Sequence, residues 1–422
     1  MNAPSDRSAP LRARTTDVHT AVARQTAALP MTATVMSDRI YLDWNATAPL
    51  RPQAREAMVR ALERIGNPSS VHAEGRAARA LIEHAREEVA ALVGAAPRDV
   101  VFTSGGTEAN ALALTPNIGG NGPVRERLLV SAIEHPSVLA GGRFPADAIE
   151  RLPVETGGCI DLATLERRLA ALHGGALVSL MLANNETGVI QPVAEAARLV
   201  HAAGGFLHVD AVQAAGRIPI DINALGADFL TLSGHKIGAP KGVGALIRRA
   251  EGPRIGDPLI KGGGQERGAR AGTENVPWIA GFGAAAQAAR DGLSSEPARM
   301  TALRERLEAG LKAASPEIVI FGIDQKRLPN TTLCAMPGTK AETAIIAFDL
   351  EGFALSSGAA CSSGKVQPSH VLGAMGVPPQ LGRAALRISL GPTTSESDID
   401  RFVRAWINVS AVLLKESRGI AA

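Results

Sequence analysis

The chain has 422 residues, a net charge of +3, and 45% hydrophobic and 20% charged residues. The two signs of charge are interspersed and no apolar run reaches the ~18 residues of a membrane helix, so neither a nucleic-acid-binding field nor a membrane span is implied. Three cysteines, Cys159, Cys334 and Cys361, cannot build a disulfide framework and show no C-x-x-C zinc spacing; a reducing, cytoplasmic compartment fits, and no intrinsic metal site is expected.

Residues 1–38 carry Ala, Thr, Ser, Pro and Arg without sustained periodicity, which predicts a disordered extension. Arginines there suit a transit peptide, but Asp6 and Asp17 count against one. A start codon placed too early is an equal reading, because Met36 opens directly into "SDRIYLDWNATAP".

From residue 76 the apolar positions 78, 81, 82, 85, 89, 92 and 93 follow helical spacing, and Gly94 ends the run. "DVVFTS" reads as a buried strand, followed by a glycine turn and the helix "TEANALAL". Strands are predicted at "RLLVSAIEH", "ALVSLMLAN", "FLHVDAV" and "FLTLS", with a helix from Pro192 to about Ala203. Such alternation predicts an α/β fold with a mostly parallel sheet covered on both faces. Beyond about residue 293 the pattern becomes helix, "EIVIFG", "NTTLCAM", a helix near 341–350, "ALRISLG" and a capped closing helix. A large domain over 39–293 and a smaller α+β domain over 294–422 are expected, with 39–51 packing on the smaller one.

Ligands of such sheets bind beyond the carboxyl ends of the strands. The polar residues there are Ser104-Gly105-Gly106-Thr107, Glu134-His135, Asn184-Asn185, Asp210 with Gln213, and Ser233-Gly234-His235-Lys236. The glycine turn opens a helix, a place where backbone N–H groups bind phosphate, although a plain turn reads equally well. No G-K-[ST] and no G-x-G-x-x-G follows. Lys236 could form a Schiff base if its amine were neutral, which requires burial or a nearby cation. Lys241, in the neighbouring A-P-K-G turn, is the competing amine. Asp210 ends an apolar strand and needs a partner, such as a protonated ring nitrogen or an arginine. A lysine for an aldehyde and an aspartate for a pyridinium are the two groups that pyridoxal phosphate asks of a protein. With 3% aromatics and Tyr41 the single tyrosine, a group stacked on that ring would be a histidine, and His135 stands at a suitable strand end.

Cys334 lies in an apolar strand and Cys159 in a turn before an apolar segment, so both read as packing residues. Cys361, in "SSGAACSSGK", has small neighbours that cannot build a core. A reactive cysteine belongs in such a setting, though a small residue filling a turn does too.

Taken in order, "YLDWNATAP", "GNPSSVHAEGR", "FTSGGTEANALAL", "AIEHPSV", "NNETGVIQP", "HVDAVQAAG", "SGHKIGAPKGVGAL", "GGGQERGARAGTENV", "SSGAACSSG" and "LRISLG" resemble the NifS/IscS-like cysteine desulfurases of the class V aminotransferases. The likeness runs from about Ile40 to the closing helix. It implies pyridoxal phosphate in a fold type I enzyme, with Lys236 as the covalent attachment and Asp210 on the pyridine nitrogen. It implies His135 on the ring and in catalysis, Gln213 and Asn185 near its phenolic oxygen, and Gly106, Thr107, Ser233, Gly234 and His235 in cofactor binding. Thr273 would reach the phosphate of a partner subunit, hence a homodimer. Arg387, with Asn185, would hold the carboxylate of L-cysteine, a bidentate task that suits arginine; the plain alternative is a strand-edge ion pair. Cys361 would take the substrate sulfur as a persulfide, leaving L-alanine, and pass it to a sulfur acceptor or an iron–sulfur scaffold protein. Transient sharing of that scaffold's cluster by Cys361 stays open. The small residues in "KIGAPKG", where relatives often carry Tyr or His, and the short tail after "LLKESRGIAA" depart from the pattern. The tail puts the acceptor in doubt: nitrogenase clusters, general iron–sulfur assembly and thiolation all fit. A selenocysteine lyase, another class V lyase or aminotransferase, and a non-enzymatic sulfur relay are the competing functions.

Overall fold

The computed structural model describes residues 39–119, 124–172, 175–358 and 368–419; Cys361 and residues 1–38 lie outside them. Ile40–Ala422 form one compact unit. Its largest sheet has seven strands in the order Val100–Thr103, Gly244–Arg248, Phe229–Ser233, Phe206–Asp210, Leu177–Met181, Leu128–Ser131, Ile149–Leu152. The last five pair in parallel, while Gly244–Arg248 runs antiparallel to both neighbours. The expected mostly parallel α/β sheet is thus present, with one antiparallel strand, second from the edge, that the sequence reading did not single out.

Period-two alternation divides each strand between two apolar layers. Leu129 and Val178 belong to one cluster, with Ile82, Val89 and Phe282 of the helices Ala73–Leu92 and Val276–Gly292. Leu128, Val130 and Leu177 belong to the other, with Leu112 and Val138. Both faces are covered, which explains why the strands read as unbroken apolar runs. The predicted helix at 76–93 spans Ala73–Leu92, and Gly94 follows it in the left-handed region at φ 67.

A second, four-stranded antiparallel sheet runs Ser356–Ser357, Ala385–Ser389, Thr331–Ala335, Val319–Ile320. The helices Ala341–Leu350 and Glu396–Gly419 cover it, with Phe348, Phe402 and Trp406 at the centre of its core. Cys334 is fully buried in that core, where burial pushes its thiol pKa far up. Cys159 is half-buried, 3.4 Å from Gln325 Oε1, and burial raises it too.

The N-terminal strand Ile40–Tyr41 pairs in parallel with Phe353–Ala354 of this second layer. The chain then turns at Asp43–Thr47 across the edge of the large sheet. Trp44 lies flat on Gly391, where a Cβ would stand 2.0 Å from the ring. This close approach holds the turn against the rim of the strands.

Candidate active site

A cavity of about 810 Å³ opens at the carboxyl ends of the parallel strands. Gly106, Thr107, His135, Asn185, Asp210, Gln213, Ser233, His235, Lys236 and Arg387 all line it, so chain segments far apart in sequence converge as strand-end reasoning predicts. Gly234 does not line it; a Cβ there would stand 2.9 Å from Val243, so its part is in the turn. Thr273 stands apart, in a separate cavity of about 280 Å³ with Leu62, Arg64 and Pro68.

Lys236 ends the short turn Gly234–Lys236 that follows the strand Phe229–Ser233. Its Nζ donates to Asn45 O at 2.6 Å and Ala46 O at 2.9 Å. Burial, then the positive charges of Arg387 and Arg217, bring its pKa down to about 7, against the pull of Asp43 and Asp210. Half of such amines are neutral at pH 7; for an ordinary lysine the figure is roughly one in 2500. Lys241 also lines the cavity but is exposed, and the desolvation and cations that make an amine nucleophilic act on Lys236.

Asp210 ends the strand Phe206–Asp210. Its Oδ2 accepts from Asn110 Nδ2 at 2.9 Å and its Oδ1 from Val212 N at 3.0 Å. Beneath it, Glu134 is fully buried; Oε1 accepts from Met181 N at 2.6 Å and Oε2 has no partner. Burial, then Asp210, push the Glu134 carboxyl well above the carboxylate range. Both influences favour the neutral form of Glu134. His208, fully buried below them between Ser179 Oγ and Thr231 Oγ1, is held down at about 4 by burial and stays neutral.

Gln213 donates through Nε2 to Asn45 O at 3.1 Å. Its Oε1 accepts from Arg217, a fully buried guanidinium that also donates to Gln213 O at 2.7 Å and Trp44 O at 3.3 Å. His235 holds Thr47 Oγ1 at 3.1 Å through Nδ1, and burial, then Lys236, take it down to about 4. Arg387 donates through Nη1 to Asn185 O at 3.0 Å and through Nη2 to Asp43 Oδ1 at 2.8 Å. Its Nε is buried without a partner among the described residues. The ion pair foreseen as the plain alternative for Arg387 is therefore present, and the Nε–H is still unspent.

These contacts expose residues that strand-end reasoning missed. The carbonyls of Trp44, Asn45 and Ala46 anchor Arg217, Gln213 and Lys236, a role no side chain advertises. Glu186, Ser137, Asn110 and His370 also line the cavity. His370 Nε2 donates to Glu134 O at 3.0 Å; its place at the far end of the cysteine stretch was the available signal.

The aminotransferase class-V family model matches residues 40–402. The chain belongs to this family. The cysteine desulfurase of Cereibacter sphaeroides is 44% identical over 87% of this chain and 94% of its own. The cysteine desulfurase NifS of Azotobacter vinelandii is 40% identical, over 86% and 91%. A solved NifS-like protein from Rickettsia africae superposes with a TM-score of 0.79 at 39% identity, covering 88% of this chain and 99% of that one. The resemblance read from the motifs is borne out in family and in fold.

One consequence follows for Arg387. Lysine keeps the charge but loses the planar fork. Arg387→Lys is expected to raise KM for L-cysteine about tenfold or more with a smaller change in kcat, measured by alanine release.

Proposed function

We propose that this chain is a cysteine desulfurase that uses pyridoxal phosphate to convert L-cysteine into L-alanine and a persulfide on Cys361. The observation that carries the reading is a buried amine poised near neutrality, Lys236, in one cavity with a held carboxylate, Asp210, and an arginine fork, Arg387. The residues fit the cofactor. At Gly106 a Cβ would stand 3.1 Å from Val212 and 3.2 Å from Ser233, so only glycine sits without displacing a neighbour at the start of the helix Gly106–Ala113. The first N–H groups of a helix have no intrahelical acceptor and suit a phosphate. Thr107, Ser233 and His235 line the same cavity, and Asp210 offers a carboxylate to a ring nitrogen.

Bound pyridoxal phosphate supplies an aldehyde for amines and an electron sink for the substrate's α-carbon. The protein does the rest. Neutral Nζ of Lys236 takes the α-proton. Arg387 and Asn185 orient the substrate carboxylate. Sγ of Cys361, as the thiolate, attacks the substrate sulfur; an S–S bond forms as the C–S bond breaks, and the electron pair stays with the three-carbon fragment that becomes alanine.

The reading includes a homodimer. Leu62 lines the cavity that holds Thr273, and Ile65 and Val71, close by in the chain, are 81% and 87% exposed. Exposed apolar side chains in this segment suit a second copy of the chain, which Thr273 would serve. A reducing cytoplasm suits a free nucleophilic thiol, and an iron–sulfur scaffold or another thiol protein suits the outgoing sulfur. Among the described residues, no helix is long and apolar enough to cross a membrane.

Purified protein is expected to be yellow, to release alanine and sulfide in equal amounts from L-cysteine under reductant, and to carry a pyridoxyl group on Lys236 after borohydride treatment. Colourless protein that takes up no pyridoxal phosphate would favour the sulfur relay instead.

A further inference from the structure

His135 caps the short helix Pro136–Leu139, and its Nδ1 accepts the backbone N–H of Ser137 at 3.2 Å. A backbone N–H can only donate. Nδ1 therefore presents a lone pair, and the proton of the neutral ring sits on Nε2. The Ser137 hydroxyl lies 2.8 Å from the same Nδ1. Its oxygen accepts from Asn110 Nδ2 at 2.9 Å, which leaves its hydrogen for Nδ1. The other hydrogen of that amide goes to Asp210 Oδ2 at 2.9 Å. Asn110 is 1% exposed and its Oδ1 has no partner. A reversed amide would set that oxygen against a carboxylate and lose the bond to Asp210, so the carboxylate dictates the orientation.

From these contacts we infer that Ser137 and Asn110 are positioning residues for the reaction: they lock His135 in its Nε2–H tautomer and tie the ring to the Asp210 carboxylate. Two donors on one lone pair also favour the neutral ring over the imidazolium. The groups facing the ring are Asp210 from the sheet, which favours the charged form, and Lys236 and His370, which oppose it; burial is the largest influence and lowers the His135 pKa. The tautomer stands on geometry alone, whereas its kinetic consequence rests on the desulfurase reading.

The test has two arms. In protein labelled with 15N-histidine, His135 is assigned by the signals lost in His135→Gln, with and without pyridoxal phosphate. Nδ1 is expected to resonate as an unprotonated nitrogen and Nε2 as a protonated one at pH 7.5; a protonated Nδ1 overturns the proposal. The second arm is the pH profile of kcat/KM for alanine release. Ser137→Ala removes a donor that stabilises the neutral ring, so protonation should occur at higher pH. The acidic limb is expected to move up by about half to one pH unit, and Ser137→Thr, which keeps the hydroxyl, to restore it. A uniform loss at every pH, or a limb that stays in place, would make Ser137 merely structural and overturn the coupling. If the protein fails to turn over L-cysteine at all, the desulfurase reading falls while the NMR arm still decides the tautomer.

Discussion

Lys236→Ala is expected to lower turnover of L-cysteine by roughly four orders of magnitude or more and to leave the fold intact. General-base proton transfer alone is worth about 10²–10⁴-fold, and the same amine anchors the cofactor. The fold survives because, among the described residues, the amine is held by Asn45 O and Ala46 O alone, both on a turn that Trp44 and Gly391 already fix. Lys236→Arg separates charge from chemistry. A guanidinium can still donate to those carbonyls, but it stays protonated and is no nucleophile, so it should be as inactive as alanine. The wild-type amine has a pH signature of its own. Its pKa is lowered to about 7, so the protonated, unreactive form dominates below that pH and the neutral form above it. Recombination of the cofactor-free protein with pyridoxal phosphate, followed by absorbance, should speed up through pH 7 and then level off. A rate still climbing past pH 9 would show an ordinary solvated lysine and remove the chemical basis of the reading.

Sequence patterning made most of this site legible because many of its side chains stand at or just beyond the ends of buried strands. His135, Asn185, Asp210 and Lys236 all follow mostly apolar runs that are buried on both faces of the sheet, and a polar residue at such an end has few structural reasons to be there. The parallel strands were legible for the same reason. The strand Ile149–Leu152 was not: it is an edge strand, three of its four residues are half-buried or exposed, and "IERL" has no apolar run. Gly244–Arg248 hides behind a glycine-rich turn. The helix Val276–Gly292 has Gly281 and Gly283 inside its buried face, where helix propensity argues against it and close packing on neighbouring elements decides for it.

What the sequence could not display is the support beneath the site. Arg217 matters through three oxygens contributed by Gln213 and Trp44, two of them backbone carbonyls. Its positive charge joins that of Arg387 in lowering the Lys236 pKa. Among the described residues no carboxylate lies within ion-pair distance of Arg217, so it counts at Lys236 as an uncompensated cation. Glu134 is perturbed in the opposite sense: burial, then the nearby Asp210, raise its pKa and favour the uncharged form. Neither effect has a motif, because both depend on which groups burial has stripped of water.

Cys361→Ser is expected to cut alanine and sulfide release from L-cysteine roughly a thousandfold while leaving the yellow colour and substrate binding in place, the reverse of the Lys236 variants. A serine hydroxyl offers no thiolate, and the thiolate is the nucleophile toward sulfur. The described flanks of this stretch support the assignment. Ser356, Ser357 and Gly358 line the cavity on one side and His370 on the other. Both flanks meet the same buried carboxyl group: a Cβ on Gly358 would stand 3.2 Å from Glu186 Oε2, and Ser369 Oγ donates to that oxygen at 2.5 Å. The described residues on either side of Cys361 thus belong to the wall of the cavity that holds Lys236 and Arg387. An ordinary thiol is about 3% thiolate at pH 7, so wild-type turnover limited by this attack should rise with pH toward about 8.5, and the serine variant should lose that rise. L-Selenocysteine gives the control, since removing selenium need not require a cysteine nucleophile. Alanine formed from L-selenocysteine but not from L-cysteine by the variant would confine Cys361 to attack on sulfur; unchanged turnover of L-cysteine would remove the persulfide from the mechanism.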